Sequence, residues 1–456
     1  QNCCAPLGKT DGVEFDFKSN EQKHVVLETL QTRDRVYAIR GCAGAGKTTC
    51  LTEVRKGLEA AGRNAFYLAP TTSAVEVLRS DGFARATTVD DFLTNQVKAG
   101  NLGGSVIIID ESSLQSTHMG ASLLRIAQAN DMRVLFVGDV RQHVSVEAGD
   151  FLRILEQHSN LHRSELEDIR RQKVEEYNAA VRTMSRGNAQ GGMQQLDALG
   201  WVHEAKGQYI HQAANAYLVA TDGGKRLDQC IAISPTWEEN HRFTDGIRDA
   251  LKRRNLLGEG TAITIHDHLD WTIEQKRNAE NYRPGMLVTF DLRLGSIQRG
   301  QTLEVDRIER GMLRLKGITR SIDLGHHAKK LTVSLPRTLE VCPGEKILIR
   351  RNRRSDGLVN GQVLTVSGIR PDGVIETKEG KLIPPDFRHF GHGYVVTSYK
   401  SQGRTHDQVV IAAEQLDAKS AYVAFSRGRC EARVFTPDKA HLLKRLERPV
   451  DRLAAT

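Results

Sequence analysis

The sequence predicts an α/β protein of parallel sheets flanked by helices, interrupted by a small antiparallel β-domain. Three observations predict it. Short apolar runs at 36–39, 65–69, 106–109 and 134–137 each end in a polar tip and give way to helical periodicity, the pattern of parallel strands buried on both faces. From about 285 to 385 the texture changes to period-two alternation, and α/β character then returns. Between the first run and its helix lies Gly41-Cys42-Ala43-Gly44-Ala45-Gly46-Lys47-Thr48, which fits the phosphate-binding loop G-x-x-x-x-G-K-[ST] at every specified position.

That loop sets the first functional expectation. Gly41, Gly44 and Gly46 let successive backbone N–H groups turn inward onto phosphate oxygens, with Ala45 among them. Lys47 brings positive charge to the β- and γ-phosphates, and the Thr48 hydroxyl, with Thr49 beside it, can ligate Mg²⁺. Leu51, Val54, Leu58 and Ala61 follow at helical spacing until Gly62, so a helix N-terminus faces the same anion. The chain is expected to bind a nucleoside triphosphate.

In order along the chain, residues 1 to about 17 form a lead-in, and Ser19-Asn20-Glu21-Gln22 opens a helix. A glutamine here can read adenine, since an amide donates and accepts at once; a surface glutamine is the other reading. The strand at 65–69 runs into Pro70-Thr71-Thr72, and 85–89 supplies Thr87 and Thr88. Such hydroxyls at strand ends either bond a nucleic-acid backbone or cap helices. Val106-Ile107-Ile108-Ile109 ends in Asp110 and Glu111; Asp110 suits Mg²⁺ through water and Glu111 suits polarising an attacking water. The strand at 134–137 leads to Asp139 and Gln142, where a side chain could sense a γ-phosphate.

A flexible connection at 186–192 precedes a second strand-to-helix unit at 231–251. In the inserted β-region, 302–306 and 313–315 alternate, and 374–377 with 381–383 read as a hairpin about Glu379-Gly380. Arg350, Arg351, Arg353 and Arg354 are either a DNA-facing patch or a solvated charged face. His266, His268, His389 and His392 read as surface histidines rather than metal ligands. Late strands at 393–397 and 432–435 end the chain's α/β portion.

The 456 residues allow about two to four domains. A net charge of +8 suits a polyanion partner, while 5% aromatic content points to backbone contacts over stacking platforms. Seven scattered cysteines without C-x-x-C fit a reducing cytoplasm, not a disulfide framework. No apolar run approaches the roughly 18 residues of a membrane span, and no export signal pattern opens the sequence.

From Gln22 to Phe435 the chain resembles superfamily-1 DNA helicases of the 5′-to-3′ branch, the RecD/TraI type, and within it the helicase portion of conjugative relaxases. Trp271-Thr272, Gln275, Tyr282-Arg283-Pro284-Gly285 and Phe435-Thr436-Pro437-Asp438 carry that last, looser likeness. The resemblance implies two RecA-like domains with an SH3-like antiparallel insertion: 1–160, 161–284 and 386–456 around 285–385. It implies ATP and Mg²⁺ as cofactors and single-stranded DNA as partner, together with a relaxase domain or other conjugation proteins. Gln22 matches the adenine-reading motif, and Pro70, Thr71, Thr87 and Thr88 the DNA contacts of the first domain. Asp110 and Glu111 match the Walker B pair. Gln142 and His143 close motif III. Arg171 and Arg427 match two arginines that reach the γ-phosphate. Thr397, Ser401, Gln402 and Gly403 match the motif coupling DNA to nucleotide. Tyr399 stands where many relatives have His. The segment between Thr88 and Val106 leaves room only for a strand-separating stub near 98–101. The implied activity is ATP-driven movement 5′ to 3′ on single-stranded DNA with unwinding; the alternative is a module that binds ATP and single strands and unwinds weakly or not at all. No histidine triad with a partner tyrosine supports nicking by this chain.

Overall fold

The computed structural model describes residues 4–96, 102–143, 149–269 and 271–447. It divides into two compact units, one of residues up to Ala250 together with those from Tyr394 onward, the other Leu251–Gly393. The candidate stub at 98–101 lies outside the described residues.

The first unit contains two parallel sheets. The first has six strands, β1 (Val36–Gly41), β2 (Ala65–Ala69), β3 (Thr87–Thr88), β4 (Val106–Ile109), β5 (Arg133–Gly138) and β6 (His162–Leu166), in the spatial order β3-β2-β4-β5-β1-β6. Every pairing is parallel. All four residues of β4 and all six of β5 are buried, as continuous aliphatic runs require when helices cover both faces. Arg133 is the charged exception in β5. Its guanidinium donates to the carbonyls of Asp34, Ala5 and Thr32 at 2.7–3.0 Å, which stitches the N-terminal segment under the sheet.

β6 pairs with β1, Tyr37 opposite His162 through Gly41 opposite Leu166. The first sheet therefore runs past the expected limit at residue 160. The strand escaped the sequence reading because His162-Arg163-Ser164-Glu165-Leu166 is a polar edge strand with two buried positions.

The second sheet contains β7 (Val202–Glu204) and β8 (Cys230–Ile233), and is completed from beyond the insertion. The inserted unit contributes β9 (Thr261–His268), β10 (Leu287–Phe290), β11 (Thr302–Glu309), β12 (Met312–Leu315), β13 (Leu331–Val341), β14 (Lys346–Ile349), β15 (Val363–Ile369), β16 (Ile375–Thr377), β17 (Leu382–Ile383) and β18 (Phe390–His392). β19 (Val395–Val396), β20 (His406–Ala412) and β21 (Gly428–Thr436) then return to give the parallel order β19-β8-β20-β21-β7.

The inserted unit reaches beyond its expected bounds. It spans 251–393 rather than 285–385, because β9 runs antiparallel along β13 from Thr261 opposite Val341 to His268 opposite Ser334. A partner 66 to 80 residues away in sequence leaves no local signal of its pairing. The insertion is antiparallel, as expected, and builds two five-stranded sheets, β12-β11-β10-β13-β9 and β17-β16-β15-β14-β18. Separate apolar clusters fill them, one around Val288, Phe290, Val305 and Val333 and one around Ile347, Leu364, Phe387 and Phe390. The hairpin expected about Glu379-Gly380 is present, Ile375 opposite Ile383.

Candidate active site

The phosphate-binding loop leaves β1 and enters the helix Lys47–Ala60, whose N-cap Gly46 (φ +87°) makes no side-chain cap bond. The first-turn amides are thus left to an external acceptor. Two glycines are forced. Gly44 (φ +82°) would place a Cβ 2.6 Å from the Arg171 Cβ, and Gly46 would place one 2.4 Å from Gln22 Nε2, both closer than side chains can pack. Lys47 folds back so that Nζ donates to the carbonyls of Gly41 (2.8 Å) and Cys42 (3.2 Å). The ammonium is already held over the loop's mouth by weak neutral acceptors that a phosphate would outcompete. Gln22 is buried. Its Nε2 lies 3.4 Å from Ala45 O, and its Oε1 accepts from Lys18 N, so the amide braces the loop from behind.

The Walker B carboxylates stand at the tip of β4. Asp110 Oδ1 accepts from Glu111 N at 2.8 Å. Burial, and then the Glu111 charge beside it, push the Asp110 carboxyl up to about 7. A buried acid beside a second acid is unfavourable unless a cation joins them, and the pair with the Thr48 hydroxyl is an all-oxygen set suited to Mg²⁺. Glu111 adopts φ +50°, a left-handed backbone costing a residue with a Cβ roughly 1–2 kcal/mol. Its Oε2 accepts from Gln402 Nε2 at 2.9 Å.

Gln402 belongs to the second sheet's part of the unit, and it is one of several groups that cross. Arg171 Nη1 donates to Ser426 O (2.8 Å), and Gln172 Nε2 to Gly428 O (2.8 Å). His143 Nε2 meets Ser398 Oγ at 3.1 Å. Tyr422, from the helix Ala418–Phe425, places its hydroxyl 2.7 Å from Ala43 N and 2.8 Å from Asp139 Oδ2. Arg427 is 2% exposed and donates through Nε to Val423 O and through Nη2 to Ser426 Oγ. Burial holds its pKa below the usual guanidinium value, with Glu111 close enough to oppose that shift. Arg171 is pushed down to about 9 by burial and then by Arg427. Two acids and two arginines thus crowd one crevice, each pair repelling itself.

Other expected residues have partners within the fold. Thr71, Thr88 and Thr397 cap helices, accepting from Ala74 N, Asp91 N and Lys400 N respectively. Thr87 Oγ1 donates to Asp91 Oδ2. Pro70 remains partly exposed beside these caps, and Gly403 (φ +81°) lies 3.9 Å, measured from a built Cβ, from Val77 Cγ2. Ser401 is fully buried and donates to Ser398 O. Burial pushes His143 down to about 4, so at neutral pH it offers a neutral ring rather than a cation. Thr49 is half-buried at the helix start, 3.7 Å from a Cβ built on Gly46.

In the inserted unit Arg350, Arg351 and Arg353 are each paired, and the side chain of Arg354 lies outside what is described. Arg350 pairs with Asp267, Arg351 with Asp291 (3.0 Å), and Arg353 with Asp386 (2.8 Å) and Asp356 (3.3 Å). The histidines are only partly on the surface. His268 Nε2 and His389 Nδ1 are 2.9 Å apart, His266 stacks edge-on to His389, and His389 is 6% exposed. Carboxylates and ring partners distant in sequence create both arrangements, and nothing in either local stretch announces them. No group of three or more metal-ligating side chains occurs among the described residues.

The sequence reading missed Tyr422, which stands five residues before Arg427. It also missed Trp237, whose ring lies under Lys400 Nζ at 4.7 Å. No helix among the described residues is long and apolar enough to cross a membrane.

Residues 18–207 match the family described as an AAA domain. The chain is 24% identical over 429 residues to the probable conjugal transfer protein TraA of Sinorhizobium fredii, covering 91% of this chain and 32% of that protein. It is 23% identical to the multifunctional conjugation protein TraI of Escherichia coli K12, covering 95% and 28%. It therefore spans about a third of the length of the curated relatives it matches. Among solved structures, two coordinating Pif1 helicases at forked duplex DNA superpose with a TM-score of 0.55 at 16% identity, covering 95% of this chain and 94% of that one. Bacteroides Pif1 bound to single-stranded DNA gives 0.52 at 15%, covering 93% and 92%. At such identities the structural likeness speaks for the fold, two RecA-like sheets in a Pif1-like arrangement. Over more than nine-tenths of its own length the chain is thus similar to conjugal transfer proteins, and its fold is Pif1-like.

Proposed function

We propose that the chain is an ATP-dependent DNA helicase or translocase that moves 5′ to 3′ on single-stranded DNA during conjugative transfer. The observation that carries this reading is the crevice itself: Lys47, Asp110 and Glu111 from one sheet are met by Gln402, Tyr422 and Arg427 from the other. A triphosphate bound there is gripped from both sides, so hydrolysis changes how the two sheets are held together. Mg²⁺ would be held by Thr48 and Asp110, and would supply positive charge against the phosphates.

The residues supply the rest. Lys47 exchanges loop carbonyls for phosphate oxygens. Glu111, held by Gln402, accepts a proton from the attacking water. Arg171 and Arg427 stabilise the charge that develops on the transferred phosphoryl, and such arginines are worth roughly 10³–10⁵ in rate. Because Gln402 sits beside the helix capped by Thr397, a strand of DNA lying on that edge would shift Glu111. That is a route by which DNA stimulates hydrolysis.

The names of the relatives support conjugation as the setting. A relaxase domain or another transfer protein is the partner we propose, and the free thiols of the described cysteines suit the cytoplasm. The test is ATP hydrolysis with and without single-stranded DNA, followed by unwinding of duplexes with a 5′ or a 3′ tail. DNA-stimulated hydrolysis with unwinding only from the 5′ tail is the expected result. A 3′ preference overturns the polarity. Binding without stimulated hydrolysis favours the non-unwinding module.

A further inference from the structure

We infer that Tyr422 is a positioning residue for ATP hydrolysis, whose hydroxyl sets the amide of Gln142 by way of Asp139. The inference rests on the ATPase reading above and adds to it a residue and the direction in which it acts.

The hydroxyl has one proton. It donates that proton to Asp139 Oδ2 (2.8 Å) and accepts from the backbone N–H of Ala43 in the phosphate-binding loop (2.7 Å). The tyrosine is 1% exposed and Asp139 is 1% exposed, so both bonds form away from water, where losing either leaves a buried polar group unsatisfied. Asp139 Oδ2 also accepts from Gln142 Nε2 at 3.2 Å. An ionised carboxylate only accepts, so Gln142 must turn its NH₂ toward Asp139. Its carbonyl Oε1 is then the end left over. That oxygen is buried and has no hydrogen-bond partner, in a side chain from a residue 2% exposed.

The chemistry of the leftover end limits what it can meet. Phosphate oxygens are acceptors and so is Oε1; the two cannot bond each other directly. A water molecule can, donating one proton to Oε1. The arrangement therefore casts Gln142 as an orienter of water rather than as a donor to phosphate, provided Asp139 holds its NH₂. Tyr422 is what fixes Asp139 against the loop, and it belongs to the other sheet. When the helix Ala418–Phe425 moves off the loop, Ala43 N–H and Asp139 lose their partner, and the Gln142 amide is freed to turn. Arg427 lies just past the same helix, so the water-orienting amide and the arginine are engaged by one element.

The experiment compares wild type, Tyr422→Phe, Asp139→Asn and the double variant by steady-state ATP hydrolysis on single-stranded DNA, by affinity for a fluorescent ATP analogue, and by thermal melting. Phenylalanine keeps the ring and loses only the hydroxyl. The expected result is a fall in kcat of tenfold or more for Tyr422→Phe, with nucleotide affinity within threefold of wild type. The Asp139→Asn loss should be no larger in the double variant than in the worse single one, because both act on one chain of bonds. Unchanged kcat in Tyr422→Phe overturns the inference. So does a parallel loss of affinity and melting temperature, or strictly multiplicative losses in the double variant. If wild type itself hydrolyses no ATP, the ATPase reading fails first. If wild type is active and Tyr422→Phe matches it, only the present inference falls.

Discussion

The nucleotide crevice and the inserted unit use the same charged residue types to opposite ends. In the insertion each arginine of the run at 350–353 has a carboxylate: Asp267, Asp291, or Asp386 with Asp356. Those pairs set opposite charges side by side, and Asp267 and Asp386 are held below the usual carboxylate range. In the crevice like sits by like. Asp110 is pushed up beside Glu111, and Arg171 is pushed down beside Arg427. A protein region that is electrostatically complete has no use for a ligand. One that crowds two acids and two cations is arranged for a metal ion and a polyanion to complete it. The difference teaches that charge density alone does not mark a binding face; what marks it is like charge held beside like.

Several experiments can break or sharpen that contrast. The largest effect is expected at Lys47. Lys47→Ala should reduce ATP hydrolysis to background in a coupled assay while single-strand binding, followed by fluorescence anisotropy, survives. Turnover that persists would mean that the loop is not the phosphate site. Next, Arg427→Ala should slow hydrolysis by roughly 10³-fold or more and leave ATP binding within a few fold. Equal loss of both would make Arg427 a packing residue whose bonds to Val423 and Ser426 are its whole role.

Asp110→Asn probes the crowding itself. The folded-state carboxyl near 7 lies above its unfolded value of 3.8, so the fold disfavours the charged form. The penalty is present above pH 7 and fades as pH falls through 7 toward 4. Asp110→Asn should therefore abolish Mg²⁺-dependent hydrolysis and still raise the Tm of the nucleotide-free protein at pH 8, with the gain shrinking at pH 5. A lower Tm at pH 8 would show that the pair is already compensated. The smallest effect belongs to the insertion. Arg353 makes two bonds to Asp386 and lies 5.2 Å over the Phe387 ring. Arg353→Ala should cost about 1 kcal/mol in urea melts and change single-strand affinity by less than threefold. A large affinity loss would restore the arginine run as a DNA-facing patch.

Much of this was legible in the chain. Parallel strands with both faces covered must be apolar throughout, and Val106-Ile107-Ile108-Ile109 and Val134-Leu135-Phe136-Val137 say so directly. The phosphate-binding loop is legible because its glycines answer a local backbone demand, Gly44 and Gly46 at positive φ. Strands that pair over long separations were not legible: β6, a polar edge, and β9, which needs β13 to be a strand at all. The hydroxyls assigned to DNA show the same limit. Thr71, Thr88 and Thr397 carry the helix-cap signature as plainly as a DNA contact, and each is a cap here.

By itself the sequence determined the nucleotide chemistry, since a loop, a lysine and two carboxylates at a strand tip are each set by neighbours within a few residues. The tertiary structure decided which of the remaining charges are spent and which are free. Arg350 and Arg427 look alike in a string of letters. One has an aspartate 83 positions away, and the other is buried beside a second arginine across a crevice. Electrostatic energy depends on distance in space and on exclusion of water, and neither quantity is written along the chain.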